Sequence, residues 1–195
     1  MTILYVAIGL FVLLALWAIA VHNSLVRLVN QVRNAFSQID VQLQRRYDLI
    51  PNLVETAKGY MKHERETLEA VINARNQAMS AAQRVKNAPC AEAMRDFQGA
   101  ENALGGVLTR FMALREAYPD LKANQNMISL QEELSSTENR IAFARQGYND
   151  QVTSYNTRLQ MFPASVVASM LGHRAETLWV SDDGPAIRSN VRVSF

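Results

Sequence analysis

One cysteine, Cys90, stands in the whole chain, which excludes an internal disulfide and any zinc set built on several thiolates. Glycine (8) and proline (5) are scarce for a protein built from sheets and their many tight turns. Ala, Gln, Arg, Glu and Leu fill the space instead, so composition points to an all-α chain. Charge of one sign is also missing: 20 basic against 18 acidic residues leave +2, scattered along the chain. Without a one-signed field, a phosphate backbone or an acidic substrate has nothing to steer it, so no nucleic acid is expected.

Catalytic spacings are absent as well. His63-Glu64 begins like HExxH, but the run reads H-E-R-E-T and lacks the second histidine. A di-iron bundle needs Glu-x-x-His twice, and none of His22, His63 or His173 has Glu three places before it. There is no GxSxG and no glycine-rich phosphate loop, and Gly105-Gly106 lies inside a helical run. No catalytic residue, metal, cofactor or small-molecule substrate is therefore expected, and the chain is read as non-enzymatic.

What is present begins with the run from Ile3 to Val21, 19 residues without charge. A helix of about 20 apolar residues crosses the roughly 30 Å hydrocarbon layer with every backbone group paired. Tyr5 and Trp17 lie near its ends, where aromatic rings favour headgroups. Ala18-Ile19-Ala20 resembles a signal-peptide cleavage site, but no basic residue precedes the run and it exceeds the usual 7 to 15 residue core of a signal peptide. The preferred reading is a transmembrane anchor over residues 1–22 with the lipid bilayer as partner. Arg27 and Arg33 follow the span, so the positive-inside rule puts the N-terminus out and the C-terminal domain in the cytoplasm.

Residues 23–163 carry helical periodicity. Val29, Val32, Phe36, Ile39 and Leu43 step by 3 and 4, the spacing of a seam between packed helices. Pro51 then offers two courses. It disfavours the α conformation at Ile50 and lacks a donor, so the helix ends, with Asp48 as cap of a restart, or it kinks. Ile50, Leu53, Ala57 and Tyr60 keep the seam's phase, which favours a kink. An unbroken helix from Ser24 to Lys86 would reach about 95 Å, beyond what the later helices could cover, and this favours a turn at residues 48–51. The turn is the expectation.

Three more helices follow. One runs to about Lys86 and closes at NAPCAE, which places Cys90 in a turn beside Pro89. The next, about Ala91 to Ala117, turns Phe97, Leu104, Leu108, Phe111 and Leu114 inward. Its Gly99, Gly105 and Gly106 each cost up to about 1 kcal/mol, so either a neighbour packs closely on them or the helix is soft there. The last carries Met127, Leu130, Leu134, Thr137, Ile141, Ala144, Tyr148, Val152, Tyr155, Leu159 and Phe162 in one seam up to Pro163. Residues 164–195 read as an irregular tail in which LWV and VRVSF could form short strands.

Polar residues sit beside these seams: Arg46, Asp48, Pro51's neighbours Asn52 and Glu55, then His63 and Glu64, and further on Glu138, Asn139, Arg140, Arg145 and Asn149. They are either solvated faces, with pairs worth a few tenths of a kcal/mol, or an interhelical network that fixes register or docks a partner. With Pro51, they form the candidate interaction set.

Two long blocks, residues 23–72 around RRYDLIPNLVETAKGYMKHE and residues 130–163, LQEELSSTENRIAFARQGYNDQVTSYNTRLQMFP, resemble the LemA family. YPDLKANQ lies between them, and the similarity reaches Pro163. The resemblance implies a bacterial inner-membrane protein with one N-terminal transmembrane helix followed by an antiparallel four-helix, coiled-coil-like bundle. It favours the turn at Pro51 and implies no defined activity or cofactor. The tail after residue 172 departs from the family blocks. The function expected is a structural or scaffolding protein that self-associates as a homo-oligomer through helical packing; the alternative is a regulatory or adaptor subunit of another membrane protein, a sensor or a protease.

Overall fold

The computed structural model describes residues 1–179. All regular structure among them is helical: α1 (Thr2–Lys58), α2 (Arg65–Asn87), α3 (Ala91–Arg115), α4 (Pro119–Lys122), α5 (Gln125–Gln160) and α6 (Ala164–Met170). The all-α expectation holds, including the long apolar helix at the N-terminus. Residues Met1–Ile39 and Ala142–Leu178 form one compact unit, and Asp40–Ile141 with Trp179 belong to a second.

The expected turn at 48–51 is corrected: α1 runs through Pro51 to Lys58, and the chain turns at residues 59–64 instead. Two physical facts explain this. The buried positions Leu43, Tyr47, Ile50, Leu53, Val54 and Ala57 pass across Pro51 in one unbroken phase, so ending the helix there would forfeit the seam. The carbonyl that Pro51 cannot reach, that of Tyr47, accepts instead from Arg75 Nε at 2.6 Å. A break before Lys86 is still needed to bring α2 back on α1, and Gly59 opens it. Asp48 is mid-helix and exposed, not a cap, and accepts from Gln44 Nε2 at 2.9 Å.

In the second unit, α1 and α2 run antiparallel: Tyr47 meets Arg75, while Asp40 pairs with Lys86 at 2.8 Å. Alanines 74, 78, 81 and 82 let α2 pack closely. Cys90 caps α3, its Sγ accepting from the Ala93 N–H at 3.3 Å. Phe97, Leu104, Leu108 and Phe111 are buried as expected, but Leu114 is only half-buried and Arg115 takes the inward position. A Cβ built on Gly99, Gly105 or Gly106 would meet nothing within 4 Å, so close packing is not why α3 carries them.

In the first unit, residues 2–17 of α1 are exposed throughout, and burial begins at Val21 and Leu25, where the apolar run ends. Tyr148, Val152 and Tyr155 of α5 are buried, with the Tyr148 ring edge-on to Phe36 at 6.0 Å. Phe162, expected to close the α5 seam, is 83% exposed instead. The stretch read as irregular opens on α6, which buries Ala164, Val167 and Ala168. Leu178 and Trp179 form no strand; the rest of the strand-like pieces lie outside the described residues.

Candidate functional site

The most concentrated polar chemistry among the described residues of the second unit is an ionic cluster, buried at Arg46 and Glu101 and reaching solvent at Glu138. Arg46, one of the seam positions of α1, is 2% exposed. Its Nη2 donates to Glu101 of α3, and its Nη1 donates to Glu138 Oε1 of α5 at 2.7 Å. Tyr47, the next residue, donates its hydroxyl to the other oxygen of Glu101. Burial alone would pull the Arg46 guanidinium down, but Glu101 and Glu138 outweigh it and hold Arg46 above its ordinary value. Burial pushes the Tyr47 phenol up, and the Glu101 carboxylate beside it adds to the rise.

A buried ion pair costs several kcal/mol of desolvation per ion, which only good geometry and further hydrogen bonds offset. Here one guanidinium joins three helices through its two Nη groups, the Tyr47 phenol adds a second bond to Glu101, and the buried Arg46 Nε has no hydrogen-bond partner among the described residues. Because Arg46 and Glu101 are shut off from water, the cluster offers no opening for a substrate. What it does is fix the register of α1 against α3 and α5.

Of the twelve candidate residues, the fold brings only Arg46 and Glu138 into this cluster. Glu64 lies in the α1–α2 turn, where Tyr118 donates to its Oε1 at 3.0 Å, and His63 beside it is exposed. Glu55 is exposed and pairs with Lys58 at 2.6 Å; the Asn52 carbonyl accepts from Thr56. Asp48, Pro51, Asn139 and Arg140 are exposed, while Arg145 and Asn149 belong to the first unit and are half-buried.

Glu101 and Tyr47 were missed by sequence reasoning. The signal was there: Phe97, Glu101, Leu104 and Leu108 step by 4, 3 and 4, so Glu101 occupies a seam position where leucine belongs. Arg45–Glu133, at 2.5 Å, lies at the exposed margin of the same helices. A groove of about 820 Å³ near the α1–α2 turn has Val54, Met61 and Leu68 in its wall and Glu55, Lys58 and Arg65 among its charged lining.

The first unit holds a second polar set. His173 Nδ1 lies 3.3 Å from the Tyr155 hydroxyl, and its Nε2 lies 3.4 Å from His22 Nδ1. Burial, then the neighbouring His22, lowers the basicity of His173. Downstream, Asn156 and Glu176 exchange two hydrogen bonds of 2.9 Å, and the Tyr148 hydroxyl donates to the Thr177 carbonyl at 2.9 Å. These side chains hold the tail against α5. In the second unit Trp179 packs edge-on to Phe97 at 5.1 Å. No group of three or more His, Cys, Asp or Glu that could hold a metal occurs among the described residues.

Residues 35–195 match the LemA family, most of the chain. This chain belongs to the LemA family. The match includes the tail after residue 172, which the sequence reading had set apart from the family. Protein LemA of Metamycoplasma hominis is 28% identical over 149 residues, covering 76% of this chain and 64% of that protein. Magnetosome protein MamQ 2 of Paramagnetospirillum magneticum is 23% identical over 172 residues, covering 78% of this chain and 62% of its own length. MamQ of Magnetospirillum gryphiswaldense matches at the same identity and coverage. The chain thus spans slightly less than two thirds of these relatives. None of these names is that of an enzyme. A LemA-family chain with, among the described residues, one helix long and apolar enough to cross a bilayer is a membrane-associated protein.

Proposed function

We propose that this LemA-family protein is a membrane-anchored structural scaffold that self-associates through its helices. The observation that carries this reading is Phe143, 79% exposed in the middle of the 36-residue α5. Aromatic rings dominate interface energetics through the large area they bury, so a second copy that covered this ring would gain from the contact. The ionic cluster supports the reading too, since its buried Arg46–Glu101 core ties α1 to α3 and so stiffens the helices that a second copy would meet. Full-length protein in mild detergent should scatter light as an oligomer, and Phe143→Ser should shift it toward monomer. A monomeric wild type overturns the proposal.

The bilayer in this reading is the bacterial inner membrane, with the N-terminus out and the bundle in the cytoplasm, an orientation supported by Arg27 and Arg33 just after the apolar run. Reporter fusions active only outside or only inside the cell, joined at each terminus, test this. The groove lined by Pro51, Glu55 and Met61 favours a second reading, an adaptor that docks another membrane protein. Cross-linking through Glu55→Cys in cells would then recover a foreign chain, whereas self-contacts alone reject it.

A further inference from the structure

The first unit ends in an exposed apolar surface that the scaffold reading leaves without a role. Val166 and Met170, four residues apart, stand on one face of α6, and Phe162 is exposed in the turn just before it. Phe162 is 83% and Met170 80% exposed, with Met161 and Leu171 exposed beside them. From Met161 to Gly172 the chain carries no charged residue. The opposite face of α6 is already packed, through Ala164, Val167 and Ala168.

Where this face lies follows from register within the unit. The Phe36 and Tyr148 rings meet, and the Tyr155–His173–His22 chain lies toward lower numbers on α1 and higher numbers on α5, so the two helices run antiparallel. Extending the pairing of residues 36 and 148 at equal rise puts Phe162 level with His22. His22 is the first polar residue after the uncharged run Ile3–Val21. His173, three residues past Met170, contacts His22 directly. The apolar face therefore stands where the span leaves the hydrocarbon.

We propose that the Met161–Phe162 turn and the outer face of α6 form a second membrane contact, a foot that beds into the bilayer interface beside the anchor. A short uncharged helix lying in the plane of the interface, with an aromatic ring at headgroup depth, is suited to that layer. Arg27 and Arg158, by the same register, stand about one turn above it, at the height of lipid phosphates. The foot would set the angle of the bundle on the membrane, which a single helix leaves free. The proposal rests on the anchor reading of residues 1–22, so its test must separate the two.

The full-length Cys90→Ser protein, carrying Leu10→Cys, Phe162→Cys, Met170→Cys or Phe143→Cys one at a time, is labelled with an environment-sensitive fluorophore. It is then reconstituted in phosphatidylethanolamine–phosphatidylglycerol vesicles with or without brominated lipid. Leu10 probes the anchor, Phe162 and Met170 probe the foot, and Phe143 is the control. The expected result is loss of emission with brominated lipid at residues 10, 162 and 170 and none at 143. Quenching at 10 with none at 162 and 170 rejects the foot and keeps the anchor, including the case in which a second copy covers the patch. No quenching at 10 rejects both, and quenching at 143 as well rejects a localised contact.

Discussion

Arg75 Nε donates to the Tyr47 carbonyl at 2.6 Å, and that carbonyl is the acceptor left vacant because Pro51, four residues on, has no N–H. A side chain from α2 thus closes the gap that a proline opens in α1. The same bond that repairs the helix ties it to its neighbour.

Arg75→Met should destabilise the protein by about 1–3 kcal/mol, since a half-buried carbonyl loses its donor. In a Pro51→Ala background the alanine N–H supplies the missing bond, so the cost of Arg75→Met should shrink. Denaturant unfolding of the four variants reads the coupling, expected at about 0.5 kcal/mol or more. Equal costs in both backgrounds would show that the bond does not compensate for the proline.

Glu101→Leu leaves Arg46 buried with less of its compensating charge and should cost about 3–5 kcal/mol. Adding Arg46→Met should recover most of the loss, because an apolar pair of similar volume suits the seam. A double variant no more stable than Glu101→Leu, measured in the same unfolding experiment, would mean the cluster is not a closed electrostatic unit.

Alkaline stability should depend on two phenols. Burial pushes Tyr148 up to about 12, with Glu176 contributing, and Tyr47 is raised further by burial and by Glu101. Between the ordinary tyrosine value of about 10 and these raised values, the unfolded chain ionises and the folded one does not. Stability is therefore complete below about pH 10 and falls above it, by at most about 1.4 kcal/mol per pH unit for each phenol. Tyr148→Phe should flatten the decline between about pH 10 and 12 in thermal melts; an unchanged slope contradicts the burial assignment.

His173 works in the opposite direction on the pH scale. Its lowered basicity means that the unfolded chain takes up a proton first as pH falls, so stability is present above about 6.5 and declines below it. His173→Gln should weaken that acid dependence, as followed by melting temperature across the slightly acidic range.

Gly106→Ala should stabilise α3 by up to about 1 kcal/mol, because the added Cβ meets nothing within 4 Å and the unfolded chain loses freedom. A loss of stability instead would mean that a partner packs on that glycine in the assembled protein.

Several features followed from sequence alone for a plain reason: they depend on residues close together in the chain. The uncharged run Ile3–Val21 makes a helix long and apolar enough to cross a bilayer, the 3-4 spacing of apolar residues makes the helices, and Asn87 with Pro89 ends α2. Cys90 falls at a helix start as its neighbours dictate.

Other features needed the tertiary structure. Pro51 and the length of an unbroken helix argued for a break, and only Arg75, 24 positions past Pro51, and an unbroken buried seam decide that α1 continues. Glu101 is a polar residue in a leucine's place until Arg46 and Tyr47 arrive from another helix. Phe162 belongs to the α5 seam by period, but the chain turns at Pro163 and leaves its ring outside. In the first two cases the deciding energy is a bond or a desolvation between residues distant in sequence, which local spacing cannot express.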